Sequence, residues 1–187
     1  MSILKPFNKL PSLNSASILL VENEEQFQQS LAEAIVKDTD FTVNVRLAKY
    51  LPLPIENEET RPRIDLVVFI INLTSELSLK STETSLKYLD PAYFLGKVCF
   101  MVTSARVSSV PVERLDAVRK LAAFNHSALL FAEDQTPDGV TMAADRLKTI
   151  LKVSAGHVPM ATALYLSSLT QCTQCTVPTD IDQPSFN

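Results

Sequence analysis

Alternating apolar strands and amphipathic helices predict an α/β fold: a doubly wound, mostly parallel sheet with helices on both faces and an extra C-terminal helix. Three observations carry this expectation. The runs Leu66-Val67-Val68-Phe69-Ile70-Ile71 and Val98-Cys99-Phe100-Met101-Val102 are apolar at every position, as a central parallel strand covered on both faces must be. Helical stripes fall between the strand segments. The 187 residues, 46% hydrophobic and 20% charged, suffice for one well-packed domain.

Strand signals fall at Ala16–Val21, Thr42–Ala48, Ile64–Leu73, Lys97–Thr103 and Ala128–Phe131. Between them run helical stripes: Phe27, Leu31, Ala34 and Ile35; the shorter Leu86 and Leu89; Leu115, Val118, Leu121 and Ala122; and Ala143, Leu147, Ile150 and Leu151. The proline-rich, acidic stretch Leu51–Arg63 predicts a solvated loop. Past the last stripe, Gly156 suits a helix C-cap and Pro159 the first turn of a further helix, expected over Met160–Leu169. Met160, Ala163, Leu164, Tyr165, Leu166 and Leu169 spread around that helix axis, so one packing face cannot bury them all. Tyr93-Phe94-Leu95 forms a second apolar patch, in the loop before the fourth strand. The predicted organisation is a leader over 1–15, a domain over 16–170 and a disordered tail over 171–187, rich in Thr, Gln, Pro and Asp.

The net charge of −4, with no lysine or arginine cluster, argues against direct binding to nucleic acid or acidic membranes, which are held through neutralised phosphates. No apolar run approaches the roughly 20 residues that span a bilayer, and Met1–Ser15 lacks a signal peptide's apolar stretch. The chain reads as cytosolic or nuclear. Three cysteines fit a reducing compartment. Cys172 and Cys175 have CxxC spacing, but no second ligand pair lies nearby, and His126 and His157 are isolated. No metal site, cofactor or catalytic constellation is expected.

The segment running from Ile18 through Glu22 to Leu31 places a strand directly before a helix, where an α/β nucleotide-binding domain keeps its phosphate loop. Laid on G-x-x-x-x-G-K-[ST], its glycines become Glu22 and Phe27, its lysine Gln28 and its magnesium-binding hydroxyl Gln29. Residues 1–95 contain no glycine at all. Glu22, Glu24 and Glu25 stand where a triphosphate would sit, and Asn23 with Gln26 offers a helix cap. In a Ras-like small GTPase, the base-reading N-K-x-D would fall at Thr103-Ser104-Ala105-Arg106, where arginine reverses the polarity of the guanine contact. Nor does a D-x-x-G switch occur between Ala48 and Ile64.

A phospho-receiver is the subtler comparison, because Glu22-Asn23-Glu24-Glu25 resembles its acidic metal pair and Thr103 falls at its hydroxyl position. However, Ile70 occupies the place of the phosphate-accepting aspartate, and an isoleucine offers no nucleophile. The expected lysine is also absent at Phe131-Ala132-Glu133-Asp134. A nucleotide-binding switch and a degenerate receiver-like adaptor stand as the alternatives to a purely structural role.

Five segments, taken in order, carry a family resemblance: Leu13–Val21, Leu47–Pro54, Arg61–Phe69, Phe94–Phe100 and Ala155–Pro159. Their joint order and spacing resemble the vertebrate centromere protein M family from Met1 to about Leu169. The resemblance implies a Ras-like, small-GTPase-type fold that has lost nucleotide binding, a pseudo-GTPase without catalysis. It further implies a structural subunit of the inner kinetochore, nuclear and centromeric, monomeric within a hetero-oligomer. The implied partners are centromere protein I, a helical-repeat protein, with centromere proteins H and K, in chromosome segregation. On this reading Phe94, Leu95, Leu164, Leu166 and Leu169 form the partner-binding surface.

Overall fold

A computed structural model describes residues 3–5, 10, 14–25, 27–37, 40–54, 63–107, 109–159 and 161–172, with backbone only for 167 and 169–172. Among the described residues, five strands, β1 (Ser15–Val21), β2 (Thr42–Ala48), β3 (Leu66–Asn72), β4 (Val98–Thr103) and β5 (Ala128–Phe131), combine with five α-helices. These are α1 (Gln28–Val36), α2 (Glu76–Leu86), α3 (Val112–Phe124), α4 (Pro137–Ser154) and α5 (Ala163–Cys172). The sheet runs β2-β1-β3-β4-β5, and every pairing is parallel. This is the predicted doubly wound α/β sheet, consistent with the Ras-like type. Flavodoxin-like folds share the order, so residues rather than topology must separate the nucleotide and phosphoryl-receiver readings.

The continuous apolar runs split by alternation onto two cores. Ile18, Leu20, Val68, Ile70, Cys99 and Met101 pack under α1 and α4, while Leu19, Val67, Phe69, Ile71, Phe100 and Val102 pack under α2 and α3. Successive strand side chains point to opposite faces, so a strand buried on both sides shows no polar interruption. Phe69 and Phe100 stack across β3 and β4 at 5.8 Å.

Three expectations change. Leu89 is not on a helix with Leu86, since α2 ends at Leu86 and Leu89 forms a parallel bridge with Leu4. Helix α2 buries Ser78, Thr82 and Ser85, whose hydroxyls find backbone partners, and its apolar residues Leu79 and Leu86 are only partly buried, so the apolar stripe on its packing face is thin. Of the loop expected to be solvated, Leu51 is buried and Leu53 partly so; Leu51 donates its N–H to Ser85 Oγ at 3.0 Å, and residues 55–62 lie outside the described set. The last helix is shifted to Ala163–Cys172 because Thr162, rather than Pro159, starts it: the Thr162 hydroxyl accepts from Tyr165 N at 3.2 Å.

Gly156 takes the expected cap position. At φ +82° it donates to Val153 O at 3.0 Å, and His157 donates to Lys152 O at 2.8 Å, the paired bonds of a Schellman motif. No atom lies within 4 Å of the space a Cβ would take, so Gly156→Ala carries only the backbone cost of a positive φ. The expected loss is about 1 kcal/mol, roughly 2 to 4 °C in thermal midpoint. Scanning calorimetry of the two proteins checks it, and an unchanged midpoint would remove the cap from the account of how α4 ends.

Candidate functional site

In an open parallel sheet, ligands bind beyond the carboxyl ends of the strands where the order reverses, here between β1 and β3. The chain leaves β1 at Val21 and enters α1 at Gln28. The gap is closed by one side chain, Glu22, which is buried. Its Oε2 accepts from Phe27 N at 2.9 Å and Gln28 N at 2.7 Å, while Oε1 accepts from Phe27 N at 3.2 Å. These amides and the helix dipole are what a nucleotide-binding loop offers to a phosphate. In this chain an internal carboxylate takes them.

The expected cap by Asn23 and Gln26 is therefore corrected. Phe27 stands at the N-cap position without a side-chain bond of its own, Glu22 reaches across the loop to fill the role, and Gln26 lies outside the described residues. Nor do the three carboxylates gather at one point. Glu24 accepts from Asn72 Nδ2 at 3.4 Å, and Glu25 pairs with Lys49 at 3.0 Å. Of the four residues laid on the phosphate-loop pattern, Glu22, Phe27 and Gln28 converge, all buried, with Phe27 in the α1/α4 core. Gln29 faces outward and bonds Glu33 at 3.1 Å.

Burial pushes the Glu22 carboxyl above its usual value; the Gln28 and Phe27 amides pull it partly back, and Glu24 and Asp134 push it further up. At the base-recognition position, Arg106 pairs with Glu133 at 3.3 Å and Ser104 Oγ donates to Asp134 at 3.3 Å. Both border an open cleft of about 310 Å³ with Phe131 and Met142. Cys99 is fully buried and its thiol is pushed up to about 12, which removes it as a nucleophile. Among the described residues no three metal-ligating side chains converge, and no helix is long and apolar enough to cross a membrane. His157 packs edge-on against Phe41 at 5.2 Å. Cys172 ends α5 and Cys175 lies outside the described residues.

The second candidate site is a surface. Asp90 opens a 3-10 turn, Pro91–Phe94, by accepting from Ala92 N at 2.9 Å. The turn separates three consecutive apolar residues: Tyr93 is fully buried, with its hydroxyl donating to Ile64 O at 3.4 Å. Phe94 packs partly against the α2/α3 core, and Leu95 is left 51% exposed. Tyr93 thus leaves the predicted patch for the core. Gly96 then brings the loop against α5, for a Cβ built on Gly96 would lie 1.8 Å from Ala163 O. Leu95 and Leu164 are therefore chain neighbours of two touching residues. Leu164 is 57% exposed and Tyr165 56%, Leu166 is half-buried, and the Leu169 side chain lies outside the described residues. Sequence reasoning left Tyr165 out of the proposed surface, although the even spread of apolar residues around α5 was its signal.

Comparison with known proteins gives the family. Residues 1–173 match the family model described as Centromere protein M. The chain is 60% identical to Centromere protein M of Danio rerio over 174 residues, 92% of this chain and 94% of that protein. It is 45% identical to the Xenopus laevis protein of the same name over 174 residues, 92% and 97% of the two chains. With the Homo sapiens protein the identity is 46% over 171 residues, 90% and 93%. The chain belongs to the centromere protein M family.

Proposed function

We propose that this chain is a non-catalytic structural subunit of the inner kinetochore, a nuclear pseudo-GTPase that binds and stabilises an assembly of centromere protein I with centromere proteins H and K. The observation that carries the reading is the close approach of Gly96 to Ala163, which brings together two chain segments bearing exposed Leu95 and exposed Leu164 and Tyr165. Scattered exposed apolar residues are ordinary on a soluble domain, but a contiguous group marks an interface. Phe94 backs the loop from the core side, and Leu166, half-buried, adds apolar area on α5. A rigid α/β body would present this face to a helical-repeat partner as a monomer within the hetero-oligomer. Occupation of the α1 N-terminus by Glu22 supports the non-catalytic half of the reading, since a bound phosphate would have to displace a buried carboxylate. Neither nucleic acid nor membrane is required as a direct partner.

The test is affinity capture of the tagged chain from vertebrate nuclear extract with mass spectrometry, beside co-expression with centromere protein I. The expected result is recovery of centromere proteins I, H and K, and a higher soluble yield of both chains on co-expression. Capture without any of the three, together with unchanged yields, would sink the partner assignment.

A further inference from the structure

We infer that Gly96 is the joint on which the docking surface is assembled: seating of α5 on Gly96 turns two small apolar patches into one binding-competent face for an uncharged, aliphatic helical partner. The inference rests on the partner reading above and deepens it, by naming what positions the surface and what chemistry it accepts.

Gly96 is held from two sides. On one side its carbonyl accepts from Ser154 Oγ at 3.0 Å, while the neighbouring Lys97 donates its ammonium to Ser154 O. Lys97 is buried, and desolvation lowers its affinity for a proton while Asp65 opposes that shift. The end of α4 is thereby tied to the start of β4. On the other side, the space a side chain would fill is taken by the backbone of Ala163, with O at 1.8 Å, C at 2.4 Å and Cα at 2.9 Å from an ideal Cβ. Backbone atoms at such distances cannot swing aside as a flexible side chain can. Gly96 also has φ +83°, a conformation that residues with a side chain rarely adopt. Any other residue at 96 must push α5 away, and Leu164 and Tyr165 then lose their register with Leu95.

The partner's chemistry follows from charge. From Val153 to Thr179 the sequence contains no Asp, Glu, Lys or Arg, so α5 offers nothing to a charged surface and would bury any opposing charge unpaired. A complementary face is therefore aliphatic and uncharged, as between packed helices. Such an interface should be nearly indifferent to salt, because only exposed charge pairs are screened.

The experiment compares the full-length wild type with Gly96→Ala and Gly96→Asn by hydrogen exchange and by binding to co-expressed centromere protein I. Asparagine tolerates a positive φ but carries a Cβ, so it separates steric displacement from backbone strain. Both variants should exchange the α5 amides at least about tenfold faster, as expected for a locally released helix, with β4 amides unchanged and partner binding lost. Wild-type binding should change less than about threefold between about 0.15 and 0.5 M NaCl. Wild-type α5 exchange in Gly96→Asn, or equal acceleration of β4 and α5, would overturn the joint. Strong salt dependence would overturn the uncharged partner face. If wild type fails to bind centromere protein I while α5 is released as expected, the joint stands and the partner assignment falls.

Discussion

Leu164→Glu should abolish assembly with the helical-repeat partner while leaving the domain folded. Leu164 is 57% exposed in the isolated chain, so the substitution removes little that the fold buries, and the thermal midpoint should move by less than about 2 °C. In the complex the balance reverses. A leucine buried at an interface contributes about 1.5 to 3 kcal/mol, and a carboxylate forced into the same place adds a desolvation cost. With each 1.4 kcal/mol worth a factor of ten, binding should weaken at least about 100-fold. Leu95→Glu should act in the same direction, from the other side of the Gly96 contact. A fall in midpoint of about 8 °C or more would mean instead that Leu164 belongs to the core, and the docking face would have to lie elsewhere.

Glu22→Ala carries the largest expected stability effect. It leaves the Phe27 and Gln28 amides, now bonded at 2.9 and 2.7 Å, buried at a helix end with no acceptor. A lost charged cap with orphaned donors costs about 3 kcal/mol, roughly 6 to 12 °C in a chain of this size. A loss below about 1 kcal/mol in denaturant titration would mean that solvent already reaches those amides. Glu22→Gln isolates the charge. Because the folded pKa is raised above the usual 4.5, the folded state holds the proton more tightly than the unfolded one. The resulting stabilisation is full below 4.5 and is lost as pH rises through the folded value. The midpoint of wild type minus that of Glu22→Gln should therefore be greatest at acid pH and shrink toward neutrality. A difference that grows with pH would show that the amides outweigh burial.

How the fold could be read from residues differs between elements. Strands β3 and β4 were legible because burial on both faces leaves uninterrupted apolar runs. Helix α2 was less so, since beside the partly buried Leu79 and Leu86 it packs through Ser78, Thr82 and Ser85, whose hydroxyl bonds have no hydrophobic period. The surface shows the same contrast. Tyr93, Phe94 and Leu95 look alike as a string, and only the 3-10 turn opened by Asp90 sends the first inward and the third outward.

By itself the sequence determined the doubly wound order of elements and the mismatch of Glu22, Phe27, Gln28 and Gln29 to the phosphate-loop pattern, because both depend on residue type and local spacing. It also marked α5 as a helix whose apolar residues one packing face cannot all bury. The tertiary structure decided that Glu22 turns back into the start of α1, since that depends on where β1 ends relative to the helix. It also decided that Gly96, one of only three glycines, meets Ala163. A contact between segments so far apart in the chain leaves no periodic trace in either, because what fits is the absence of a side chain at one point against a backbone carbonyl at another.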